Sequence, residues 1–147
     1  MIDHKFIGYR QAPFEAEVEK GRLRLFAKAI GETDPIYSDE AAAHAAGHSS
    51  LPVPPTFFFC LEMERADPYD WFTDLGIPLG QVLHGEQSFT YHRTAYAGET
   101  LTFRAELLDI YEKKNGALQF LVQRNFVTDA KNQPVAEFDR TIVIRWA

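Results

Sequence analysis

The hydrophobic pattern changes period once along the chain: apolar residues recur mainly at helical spacing in the first half and alternate with polar ones from Val82 onward. Leu23, Phe26, Ala27 and Ile30 fall at i, i+3, i+4 and i+7, which predicts a helix over 20–30 with one buried stripe. A short strand over 14–18 precedes it, with apolar and acidic residues in alternation. Gly31 is placed to stop the helix with a left-handed residue. Ser38 or Asp39 then caps a small Ala-rich helix running to about Ala46. The stretch 47–55, broken by Gly, Ser and prolines, reads as loop.

Pro55 suits the first turn of a further helix over 56–65, and the Thr-Phe-Phe-Phe-Cys-Leu-Glu-Met run is apolar on nearly every side. A helix of that kind is buried and wrapped by other elements. The segment 67–80 contains Pro68, Gly76 and Pro78 and reads as irregular. Beyond it, Leu101, Phe103, Ala105 and Leu107 alternate with Thr102, Arg104 and Glu106. Lys114-Asn115-Gly116 signals a hairpin, because Asn-Gly supplies the positive φ values of a primed turn. A second turn over 129–133 leads into a last strand, 135–146, where Ala136, Phe138, Ile142 and Ile144 share a face that Arg140 interrupts. The economical packing is a single α+β domain spanning 1–147, its antiparallel sheet curved around the 56–65 helix. Such a sheet has exposed edges, and pairing within a dimer would protect one of them.

Composition narrows the partners. Hydrophobic residues make up 46% of the 147, enough for a real core, and the 12 Phe are clustered. Net charge is −6, and the 15 Lys and Arg form no run or stripe, which argues against nucleic acid or an anionic membrane as partner. One cysteine, Cys60, excludes an intrachain disulfide and points to a cytoplasmic location. The start lacks the apolar segment of a signal peptide, and no stretch approaches the ~20 apolar residues of a membrane span.

The candidate chemistry lies in the turn Gly31-Glu32-Thr33-Asp34-Pro35-Ile36-Tyr37, which carries two carboxylates and a phenol, and in His84-Gly85-Glu86-Gln87-Ser88-Phe89-Thr90-Tyr91-His92-Arg93. With the preceding Phe26-Ala27-x-Ala29-Ile30, with Pro52-x-Pro54-Pro55-Thr56-Phe57 and with Ala97-Gly98-Glu99, these segments resemble the MaoC-like dehydratases in family order. The branch they look closest to is the N-terminal half of MaoC dehydratase, related to the dehydratase part of fungal type I fatty-acid synthase. The resemblance implies a hot-dog fold and a role in hydrating enoyl thioesters or dehydrating (R)-3-hydroxyacyl thioesters, carried on CoA or an acyl-carrier protein. Hydration is redox-neutral, so no cofactor and no metal is expected.

Active members of the family carry Gly-Asp-x-Asn-Pro-(aliphatic)-His, whose Asp and His handle the protons. Here Glu32 stands for the Asp, Asp34 for the Asn and Tyr37 for the His. An imidazole near pKa ~6.5 takes and returns a proton at neutral pH, whereas a phenol near ~10 is mainly a donor. On this resemblance Glu32 is the candidate base, Tyr37 an acid or substrate clamp, and His84 a replacement acid or base. Asp34, Thr56, Phe57 and Arg93 are candidate substrate-binding residues, with backbone N–H groups near Thr56 and Phe57 aimed at the thioester carbonyl.

Each of these has an ordinary structural alternative. Asp34 caps a turn and Tyr37 packs; His84 hydrogen-bonds at a strand start; Arg93 and His92 belong to a surface or interface salt bridge; and Cys60 is an inert core residue. His44 and His48, four apart, have metal-like spacing, but Gly47 lies between them and no nearby carboxylate completes a ligand set. Three functions follow. The chain is a hydratase or dehydratase, as a homodimer; or it is a subunit without catalytic residues, paired with a paralogous hot-dog chain that supplies Asp and His, as in the mycobacterial β-hydroxyacyl dehydratases; or it is a thioesterase using Glu32 alone.

Overall fold

The alternating segments pair into one antiparallel sheet, and the computed structural model describes it over residues 1–146. In chain order the elements are β1 (Phe14–Glu17), α1 (Lys20–Ala29), α2 (Glu40–Ala45), α3 (Phe57–Glu62), α4 (Asp70–Leu75), β2 (Val82–Tyr91), β3 (Thr100–Lys113), β4 (Leu118–Thr128) and β5 (Pro134–Arg145). The strand order is β1-β3-β4-β5-β2, so β1 and β2 are the edges. Period-two alternation puts Leu101, Phe103, Ala105 and Leu107 of β3 on one buried face, with Phe138, Ile142 and Ile144 of β5. The sheet curves around α3 as the pattern predicts, and Phe57, Phe58 and Leu61 pack into the same cluster as Phe103, Val127 and Phe138. Lys114, Asn115 and Gly116 all take positive φ at the β3–β4 hairpin.

Three expectations are corrected. Ile30 does not complete the α1 stripe: it caps the helix just beyond Ala29, where the chain begins to turn away, and is 55% exposed. The buried helix is shorter than 56–65: it ends at Glu62, and Arg65 folds back to bond Glu62 and the Ala12 carbonyl. The segment 67–80 is not irregular throughout, since α4 lies within it. Asp67 accepts from the Tyr69 N–H ahead of the helix, and Gly76, at φ 70, closes it. Trp71, Phe72 and Leu75 then form a second core cluster with Leu107, Leu121, Ile142 and Ile144.

Edge strand β2 carries a bulge between His84 and Glu86, at Gly85. A Cβ there would meet Val143 Cγ2 at 2.8 Å and the Thr141 carbonyl at 3.1 Å, so only glycine lets β2 lie against β5 at that point. Gly85→Ala is expected to destabilise the domain by about 1–3 kcal/mol through overpacking, read as a fall in the urea midpoint at unchanged slope. Among the described residues no helix is long and apolar enough to cross a membrane.

Candidate functional site

The acidic turn owes its shape to its own side chains. Gly31, at φ 72, ends α1, and the Glu32 N–H returns to the Ala27 carbonyl. The Glu32 carboxylate then accepts the N–H groups of Thr33 (2.8 Å) and Asp34 (2.9 Å). Asp34 caps the short 3-10 turn Pro35–Tyr37 by accepting from the Ile36 N–H at 3.1 Å. Both carboxylates are thus engaged with backbone, and both residues are exposed. Tyr37 is half-buried beside them; burial first, then the charges of Glu32 and Asp34, push its phenol above the ordinary range. It therefore stays protonated at neutral pH and acts as a donor.

Tyr37 lines a cavity of about 160 Å³ with Ile36, His48, Pro55, Phe58, Tyr91 and Arg93 among its walls. His48 was weighed in the sequence only as a metal ligand. Its ring in fact shares a 3.1 Å hydrogen bond with the Tyr96 hydroxyl, while His44 turns to the Ser49 carbonyl. Nothing in the local sequence announces His48 as a cavity residue, because the fold brings Tyr96 to it from 48 positions away. Arg93 also reaches the cavity, but its guanidinium is bound to Glu99 (2.6 and 3.1 Å) and Asp129 (3.0 Å), the salt-bridge alternative. These carboxylates hold the Arg93 pKa above its ordinary value.

The start of α3 differs from the expectation of free N–H groups at Phe57. The Phe57 N–H donates to the Pro54 carbonyl at 2.9 Å, and its side chain is core, 4.9 Å from the Phe26 ring. Thr56 is exposed and makes no side-chain cap. Cys60 is half-buried, and burial pushes its thiol up, away from a reactive thiolate.

His84 does not join Tyr37 within one chain. It lines a second cavity, about 210 Å³, which shares no lining residue with the first, together with Phe59, Phe72 and Arg140. Tyr91 of the first cavity and His84 of the second lie on the same strand, roughly 20 Å apart at ~3.3 Å per residue. Behind the second cavity sits a buried polar cluster. Arg65 donates to Glu62 at 3.2 Å, Arg140 approaches the other Glu62 oxygen at 3.6 Å, and Gln123 joins Arg140 to Gln11. The interrupting Arg140 of the β5 pattern is thus a buried cation, its pKa held below the ordinary arginine value by burial, with Glu62 opposing the shift.

Against known proteins, a UPF0336 protein of Saccharopolyspora erythraea is 35% identical over 145 residues, covering 98% of this chain and 92% of the relative. Among solved structures, the C-terminally truncated HadBC (3R-hydroxyacyl-ACP dehydratase) complex from Mycobacterium tuberculosis aligns with a TM-score of 0.79 at 25% identity, over 93% of this chain and 96% of that one. The ChsH1–ChsH2 complex from the same organism aligns at 0.75 and 28% identity, over 93% and 84%. Residues 5–138 match the family described as FAS1-like, dehydratase domain region. With its sheet wrapped on α3 in the hot-dog fold of the MaoC-like dehydratases, the chain belongs to that family.

Proposed function

We propose that this chain is the substrate-binding subunit of a hydratase or dehydratase acting on enoyl or (R)-3-hydroxyacyl thioesters, with the proton-transferring groups supplied by a paralogous hot-dog chain. The observation that carries this reading is the acidic turn. Glu32, which stands where the family's base stands, is tied through Oε1 to two backbone N–H groups and is not among the residues lining the Tyr37 cavity, and its neighbour Tyr37 is held protonated. Adding water across a double bond needs a base for the water and an acid for the α-carbon. Glu32 lies outside the lining of the cavity, and Tyr37, kept protonated, can donate there but not accept. Two further features support a partner chain. β2 is an unpaired edge, exposed along most of its length with Leu83 and Tyr91 open to solvent, and two similar structures are complexes.

A second reading rests on His48, an imidazole in the same cavity as Tyr37, oriented by Tyr96. With His48 as acid and base the chain would hydrate alone. Incubation of the purified chain with crotonyl-CoA and longer enoyl-CoAs, following hydration and thiol release together, separates the readings. The expected result is neither reaction. Hydration lost in His48→Gln would establish the second reading. Hydration lost in Glu32→Gln would sink the first, and thiol release would make the chain a thioesterase.

The protonated state of Tyr37 is itself testable. Ultraviolet difference titration of the native chain against Tyr37→Phe is expected to assign to Tyr37 a phenol that ionises above the ordinary ~10. Ionisation below that value would contradict the donor role.

A further inference from the structure

The second cavity has a feature that its surroundings leave unbalanced. Its walls are largely apolar, from Phe59, Phe72, Leu79 and Ile142, yet Arg140 lines it and is 4% exposed. A guanidinium stays charged at any physiological pH. Arg140 and Arg65 share one carboxylate, that of Glu62, so the cluster holds one positive charge in excess. Asp70 forms no ion pair with either arginine; its carboxylate accepts from Gln11 and from the Trp71 N–H, both at 2.6 Å. Of the Arg140 donors, Nη2 goes to Gln123, Nη1 lies 3.6 Å from Glu62 Oε2 and 3.7 Å from the Met63 sulfur, and Nε, like Arg65 Nη2, is buried with no hydrogen-bond partner. A buried cation with an unused donor is costly unless an anion meets it.

We propose that this pocket binds a carboxylate at the end of an aliphatic chain, the carboxylate against Arg140 and the chain along Phe59, Phe72, Leu79 and Ile142. The excess of one charge fits a monoanion, and the planar guanidinium fork matches carboxylate geometry. At ~30 Å³ per water-sized group, the cavity holds about seven such groups, a short chain or the last part of a long one. The carboxylate comes either from a free fatty acid or from the distal end of a dicarboxylic acyl thioester. The proposal does not rest on the thioester reading of the Tyr37 cavity, and its failure would leave that reading untouched.

The test is calorimetric titration of the purified protein, in its native oligomeric state, with octanoate and with octanol. Octanoate is expected to bind at least tenfold more tightly. Location is read from Trp71, whose ring lies 5.6 Å from the Arg140 guanidinium carbon, in a Trp146→Phe background that leaves it as the only tryptophan. Its emission should change saturably with octanoate. Arg140→Met leaves Glu62 paired with Arg65 and removes the excess charge, and the triple replacement Glu62→Leu, Arg65→Met, Arg140→Leu removes the whole charge cluster. It is expected to stay folded by circular dichroism and to lose the preference for octanoate. Equal affinity for acid and alcohol, binding that leaves Trp71 silent, or a preference that survives the triple replacement would each overturn the proposal. Given the preference, comparing octanedioyl and octanoyl thioesters of pantetheine identifies the source. Tighter binding of the octanedioyl thioester assigns the site to a distal carboxylate, and equal binding assigns it to a free acid.

Discussion

Replacing Glu62 with Ala is expected to destabilise the domain by about 3–5 kcal/mol, the range for removing one partner of a buried ion pair. Glu62 is fully buried and lies between Arg65 at 3.2 Å and Arg140 at 3.6 Å. Without the carboxylate, Arg65 and Arg140 stay buried with no ion-pair partner, Arg65 against Phe14 and Arg140 among Phe59, Trp71 and Met63. For a domain of this length, each kcal/mol shifts the melting temperature by roughly 2–4 °C, so the fall should be about 10 °C. Urea denaturation gives the free energy directly. The triple apolar replacement of Glu62, Arg65 and Arg140 should recover most of the loss, because a buried ion triad costs desolvation that a well-packed apolar cluster does not. A loss below about 1 kcal/mol for Glu62→Ala would mean that the cluster is hydrated in solution.

The second large effect is catalytic. Mixed with a paralogous hot-dog chain that carries Gly-Asp-x-Asn-Pro-(aliphatic)-His, this chain is expected to support hydration at least ~10²–10⁴ times faster than alone, the contribution of positioned acid–base groups. In that assembly Glu32→Gln and Tyr37→Phe should change kcat by less than about tenfold, since Glu32 serves the turn and Tyr37 can only donate. Replacing the partner's Asp or His should remove the whole gain. A loss of ~10²-fold or more from Glu32→Gln would return the base to this chain. If the chain stays homodimeric and indifferent to any such partner, the subunit reading fails and the His48 cavity becomes the place to look.

How far the sequence reached depended on whether a feature was local. The α1 helix, the α2 helix capped by Asp39, the Asn-Gly hairpin and the long strands were legible because each is set by neighbours in the chain: a period, a cap, a turn. Helix α4 was not, because six residues between Pro68 and Gly76 are too few to show a period, and its apolar face is recognisable only against Leu107, Leu121 and Ile142. Ile30 fitted the helical stripe in number but not in space, since the chain leaves the helix one residue earlier.

The candidate site divided in the same way. The motif turn placed Glu32, Asp34 and Tyr37 together, and its side-chain hydrogen bonds run between residues within two positions of one another, so its shape belongs to the sequence. The sequence also settled the fold family, through the order of its segments, and the replacement of an imidazole by a phenol at Tyr37. Tertiary structure alone decided which residues share a cavity: His48 and Tyr91 with Tyr37, and His84 with Arg140 in a separate one. It alone showed that Arg140, an interruption in the β5 pattern, is a buried cation sharing a single carboxylate. Local order follows from propensities and caps carried by adjacent residues, whereas cavities and charge balance depend on distant strands meeting, and no pattern along the chain encodes those distances.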